Sequence, residues 1–201
     1  MRRKAAVAVV LIIMSAAGVR LLFWGRIRAF LYRNYTEVRV VQDSNWFDYP
    51  VGPPDARGYY RAQRFGGHEM HLGEDWNGMG GGNSDYGDPV YAIANGRVTR
   101  CDETGSGWGN VVRVVHPVGN GEKPVDALYA HLSEVRVHEG QSVKRGQVIG
   151  TIGDADGLYQ AHLHLEIRKV AGQPLGRGYG RNEDGLFYDP SEFIDKHRKK
   201  T

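Results

Sequence analysis

An all-β fold is predicted by three observations: short β-branched runs recur along the chain, glycine or polar turns separate them, and the length suits a single core. The 201 residues, 41% hydrophobic and 24% charged, fit one compact domain with a short appendage. An aromatic content of 10% argues against a disordered chain, and 28 glycines without a triplet period exclude a collagen-like one.

The elements follow in order. Arg2, Arg3 and Lys4 precede an uncharged run from Ala5 to Ala17, and Ser15-Ala16-Ala17 has the small residues that a signal peptidase accepts. Apolar character continues to Trp24 apart from Arg20, and 20 residues are long enough to span a bilayer as a helix. Residues 1–33 are therefore expected to be a signal peptide or a retained N-terminal membrane anchor. That places the protein outside the cytoplasm, in the periplasm or cell envelope, with inner-membrane anchoring if the segment is kept. Residues 34–63 read as an extended lead-in, because Gln42 to Tyr60 contains Pro and aromatics without a helical period. Strands are predicted at Val90–Ala94, Arg97–Cys101, Asn110–His116, Ala127–His131, Val135–His138, Val148–Ile152 and His162–Lys169. Asn95-Gly96 is expected to be a tight hairpin turn between the first two. Gly80 to Ser84 reads as a flexible loop without the Lys-Ser/Thr of a phosphate cradle, and residues 196–201 form a basic tail.

The net charge of +3 is unevenly placed. Residues 1–40 hold eight Lys or Arg against Glu37 alone, and residues 196–201 hold four against none. The body between them has 14 basic and 22 acidic residues, so nucleic acid is excluded as a partner. Cys101 is the single cysteine and permits no intramolecular disulfide.

Chemistry concentrates in the eight histidines. His71 stands four residues before Asp75 in a glycine-flanked stretch, which argues against a helical H-E-x-x-H site. His162-Leu163-His164 lies in a strand, where alternation puts both imidazoles on one face. His131 ends Ala127-Leu-Tyr-Ala-His131. Taken singly, each has a structural explanation. Together, two imidazoles and a carboxylate are the ligand number of a catalytic zinc that keeps one position open, although manganese or iron would also accept such a set. His68-x-x-His71 could mimic a ligand pair, but Gly73 and Asp75 stand in register with His71. Glu74 and Glu166 are candidates for orienting imidazoles. His116, His138 and His197 read as surface or structural residues.

His71-x-x-x-Asp75, Tyr129-Ala-His131-Leu-Ser133 and His162-x-His164, in that order, resemble the lysostaphin/LytM-type zinc endopeptidases that cut peptidoglycan peptides. Gly87 to Val98, Gly107 to Val112, Glu139 to Gly150 and Asp189-Pro190 are similar to the same family's strand and turn segments. The resemblance spans about residues 64 to 194 and implies a zinc peptidase domain over 64–195. It implies a compact β-sandwich or barrel-like fold of the duplicated hybrid type with a lipoyl-like hairpin. It further implies one zinc per chain held by His71, Asp75 and His164, with His131 and His162 as the catalytic pair. The expected activity is hydrolysis of stem-peptide or cross-bridge bonds by metal-activated water, in a monomer. One departure stands out: Gly157-Leu-Tyr-Gln-Ala161 replaces the family's small-residue approach to the H-x-H pair, and Leu158 and Tyr159 could narrow the cleft. Gly172 to Tyr188 reads as a long loop, either at the groove or simply solvated. The alternative function is a non-catalytic cell-wall regulator that activates another peptidoglycan hydrolase. A phosphocarrier is disfavoured by the N-terminal segment, and a lipoyl carrier by Lys144-Arg145-Gly146.

Overall fold

The structure is a computed structural model and describes residues 46–104 and 107–199. The expected N-terminal hydrophobic helix lies outside the described residues. Among these residues no helix is long and apolar enough to cross a membrane. Among the described residues ten strands and one α-helix, with a short 3-10 turn at His68–Met70, follow in order: β1 (Tyr59–Gln63), β2 (Glu74–Gly78), β3 (Pro89–Tyr91), β4 (Gly96–Glu103), β5 (Asn110–His116), β6 (Val125–Val135), β7 (Ser142–Val143), β8 (Val148–Ile152), β9 (Leu163–Arg168), β10 (Phe187–Tyr188) and α1 (Pro190–His197). All strand pairs are antiparallel, and the main path runs β1-β2-β9-β6-β5-β4-β7. β10 extends β9, and β8 pairs with both β3 and β6. The fold class is all-β, as expected.

The long strand β6 organises the sheet. Its first half pairs with β5 and β9, and its second half with β8. The change of partner falls at His131, whose φ of 62° lies in the left-handed region and breaks the ladder.

Alternation divides the sheet's residues between two faces. Val112, Val114, Ala127, Tyr129, Leu163, Leu165 and Ile167 enter the main core. The opposite face of the same strands carries Arg113, Asp126, Glu166, Arg168 and His164, beside a small apolar cluster of Trp108, Val111, Leu128 and Ala130. Because both faces are covered, β5 is buried without a break from Val111 to His116, Arg113 included.

Two local expectations are corrected. β3 pairs with β8 and β4 with β5 and β7, so Asn95-Gly96 is a corner between strands that do not pair. Gly96 is required there for space: a Cβ would fall 2.6 Å from His116 Nδ1 and from the Val115 carbonyl. Val135–His138 is not a separate strand, since Val135 ends β6. In the Gly140 to Gly150 segment β7 joins β4, and β8 joins β3 and β6.

The stretch before β1 does more than lead in. Phe47, Tyr49 and Val51 are buried in the main core, and Phe47 packs edge-on against Phe193 of α1 at 5.1 Å. Asp189 caps α1 by accepting from Glu192 N at 3.0 Å, and Pro190 begins it. This cap, followed by Phe193 and Ile194, is a helix signal that the strand rhythm obscured.

Candidate metal centre

Asp75 of β2 and His164 of β9 are directly paired across the sheet. His71 arrives from the preceding loop, which is fixed by an isolated bridge from His71 to Tyr179 and by Leu72 N donating to the Gly178 carbonyl at 2.8 Å. Gly73 makes the approach possible. A Cβ there would lie 2.4 Å from the Leu165 carbonyl and 2.9 Å from His164 Cε1.

His71 Nε2, Asp75 Oδ1 and His164 Nδ1 consequently converge. Their separations are 3.0 Å (His71 to His164), 3.4 Å (His71 to Asp75) and 2.9 Å (His164 to Asp75), and all three residues are buried. Ligands about 2.0–2.1 Å from a tetrahedral zinc stand about 3.3 Å apart, so the triangle has a suitable size. The donor set fits as well. His164 Nε2 donates to Glu166 Oε1 at 3.2 Å, which leaves Nδ1 to present a lone pair toward an anionic oxygen and a second imidazole. Such a convergence of acceptors calls for a cation, either a proton or a metal.

The titration tendencies agree. Burial opposes a charge on His164, but hydrogen bonds and charges from Asp75 and Glu166 outweigh it and raise its pKa to about 9. Burial raises the Asp75 carboxyl, while the hydrogen bond and charge of His164, with His162 and His71, more than offset this and lower it. Burial pushes His71 down to about 4, against the pull of Asp75.

His131 and His162 flank the triangle, with ring centroids 4.6 Å apart, and His131 lies 5.6 Å from His164. Both are held by one nitrogen. His131 Nδ1 donates to the Trp108 carbonyl at 3.2 Å, and His162 Nδ1 to the Gln160 carbonyl at 2.7 Å. In each ring Nε2 is left to exchange a proton, and that of His162 lies 3.7 Å from Asp75 Oδ1. Burial, then the nearby His164 and His162, hold His131 neutral well below the usual imidazole range.

The five sequence-selected residues thus come together. His68 does not join them, because its side chain is 82% exposed. Glu166 orients His164, but Glu74 orients no imidazole: it accepts from Ser191 at 2.6 Å and Arg61 at 3.3 Å on the core side of β2. His116 is fully buried, whereas His138 is exposed and His197 bonds the Phe193 carbonyl within α1. Sequence reasoning missed Trp108, edge-on to His164 at 5.4 Å, and Tyr179, whose ring lies 5.0 Å from His71. The Gly107-Trp-Gly109 setting was the available signal for Trp108. Tyr159 lies 5.2 Å from His131, and its hydroxyl would be 2.6 Å from a Cβ on Gly107.

Residues 69–177, more than half of the chain and inclusive of His71, Asp75, His131, His162 and His164, match Peptidase family M23. The chain belongs to peptidase family M23. Its M23 domain is 42% identical over 106 residues to the DD-carboxypeptidase/endopeptidase Mpg of Neisseria meningitidis serogroup B, a match covering 53% of this chain and 21% of that protein. The chain therefore spans about a fifth of the length of that relative. Lysostaphin from Staphylococcus simulans superimposes with a TM-score of 0.53 at 25% identity, over 71% of this chain and 53% of lysostaphin. A chain of the SpoIIQ-SpoIIIAH pore forming complex superimposes with a TM-score of 0.55 at 26% identity, over 76% and 93%.

Proposed function

We propose that this chain is a zinc-dependent endopeptidase that hydrolyses peptide bonds in peptidoglycan stem peptides or cross-bridges, acting in the cell envelope. The observation that carries the reading is the buried triangle of His71, Asp75 and His164 with two further imidazoles beside it. Membership of family M23 and the likeness to lysostaphin support the substrate class.

In this reading His71 Nε2, Asp75 Oδ1 and His164 Nδ1 hold one zinc ion. When bound, zinc supplies Lewis acidity, acidifying water toward neutral pH and polarising a carbonyl. His131 accepts a proton at Nε2, because its Nδ1 is tied to the Trp108 carbonyl. His162, tied in the same way to Gln160, takes up a proton at Nε2 and from there donates it toward the developing oxyanion or the leaving amine. Trp108 and Tyr159 pack against the imidazoles and limit water around them. No side-chain nucleophile is needed.

Zinc content and release of cross-linked peptides, measured on the full-length protein, test the proposal. His164→Ala is expected to lose both. His131→Ala and His162→Ala are expected to keep zinc and lose about 100-fold or more in rate. Wild-type protein that binds zinc but leaves peptidoglycan intact would favour the second reading, a cell-wall regulator that activates another hydrolase. That reading draws on the similarity to a component of a pore forming complex.

A further inference from the structure

The polar face of the sheet carries four buried charges beyond the metal centre, in register with it. Across β6 and β9, Ala130 pairs with His164, Leu128 with Glu166 and Asp126 with Arg168; across β5 and β6, Arg113 pairs with Leu128. Arg168, Glu166 and Asp126 are completely buried, and Arg113 nearly so. Arg113 pairs with Asp126, and Arg168 Nε donates to Glu166 Oε2 at 2.5 Å.

The guanidiniums have further donors, and these go to backbone. Arg168 donates to the carbonyls of Gln173 (3.3 Å), Pro174 (2.9 Å) and Leu175 (2.8 Å), and Arg113 to Gln173 (2.6 Å). Gly172 N donates to Asp126 Oδ2 at 3.2 Å. Beyond Leu175, Trp108 Nε1 donates to the Gly176 carbonyl, Leu72 N to Gly178, and Gly180 N to Met70, while Tyr179 bridges to His71. The loop that starts on the two arginines therefore ends on one metal-centre histidine. The relay through Glu166 ends on another. Buried ion networks are a poor source of stability compared with apolar packing, and an apolar cluster already covers the adjacent surface. Three consecutive carbonyls aimed at one guanidinium instead define the path of the loop.

We infer that Arg168 and Glu166 are positioning residues that tie the His164 imidazole to the Gln173–Leu175 backbone, so that cation binding at the triangle and ordering of residues 172–180 favour each other. Coupling of this kind is reciprocal by linkage. Its metal arm rests on the zinc reading above; its imidazole and loop arms do not.

The test uses full-length protein, zinc-free and zinc-loaded, with Glu166→Gln and Arg168→Lys. Three quantities are measured: imidazole 15N shifts, which report whether each ring nitrogen of His164 carries a proton; amide exchange over 172–180; and zinc affinity by chelator competition. In wild type the zinc-free protein shows His164 protonated at Nε2, and zinc slows exchange in the loop. Glu166→Gln is expected to weaken zinc 10- to 100-fold, to disturb the His164 15N signature and to speed loop exchange. Arg168→Lys retains a charge for Glu166 but cannot span three carbonyls. It should therefore keep the His164 signature while loop exchange rises about tenfold, and it decides the matter if Glu166→Gln fails to fold. Zinc affinity within twofold of wild type and unchanged loop exchange in Glu166→Gln overturn the inference. So does exchange that rises equally across the whole sheet, which marks a merely structural network. If wild type binds no zinc, the enzyme reading fails, whereas the 15N and zinc-free exchange results still decide the relay.

Discussion

Gly73→Ala isolates a steric requirement of the candidate metal centre. The backbone at Gly73 is outside the left-handed region, so alanine meets no conformational penalty there and only its methyl matters. That methyl would sit 2.4 Å from the Leu165 carbonyl oxygen, 2.9 Å from Glu166 Cγ and 2.9 Å from His164 Cε1. Ordinary contacts of this kind need about 3.4 Å, so β2 and β9 must part by about 1 Å. Asp75 and His164 are paired across those two strands, and their facing atoms are 2.9 Å apart. A shift of about 1 Å is several times the roughly 0.2 Å tolerance of metal–ligand distances. We expect zinc affinity to fall at least 100-fold, about 2.7 kcal/mol. Overpacking should also lower the stability of the zinc-free protein by about 1–3 kcal/mol. Chelator competition reads the first and urea unfolding in the absence of zinc reads the second. Wild-type zinc affinity together with a stability loss below about 0.5 kcal/mol would refute the reasoning.

Further expectations concern the core, the cleft and the helix. His116 donates from Nδ1 to the Asn95 carbonyl, and Tyr129, which itself accepts from Ile93 N, donates to His116 Nε2; this satisfies the neutral ring. Burial pushes its pKa down to about 4 from 6.5. The unfolded chain therefore binds the proton first: the stabilisation is complete above about pH 6.5 and is lost as pH falls toward 4, by up to about 3 kcal/mol. Urea unfolding at pH 7 and 4.5 should show a shallower loss in His116→Gln than in wild type. Tyr159→Ser should open the cleft beside Gly107 and raise kcat/KM for cross-linked over short linear peptides several-fold at unchanged zinc affinity; an unaltered ratio assigns the cleft limit elsewhere. Asp189→Ala removes the cap of α1 and should cost about 1 kcal/mol in urea unfolding, with zinc affinity preserved.

How much of the molecule could be read from the chain varies with the range of the interaction involved. Asn110–His116 and Val148–Ile152 are strands with the predicted ends, because β-branched runs between turn residues express a local preference. The placement of His162 and His164 on one face followed from alternation alone, and both indeed face Asp75. By contrast, β1 and β10 are short and only partly apolar, and their strand character comes from the neighbours they pair with. The Asn95-Gly96 corner carries a strong hairpin signal that tertiary pairing overrode, since β4 finds β5 and β7 instead of β3.

The sequence by itself determined the all-β class, because strand alternation is written locally, and its resemblance to a known family picked out the five residues that meet at the candidate metal centre. Only the tertiary structure decided that Glu166 and not Glu74 orients His164, that His116 is a core residue, and that Arg113 and Arg168 hold residues 172–175. Each of those facts depends on which face a strand turns toward which neighbour. Pairing between residues tens of positions apart fixes that choice, and no local pattern encodes it.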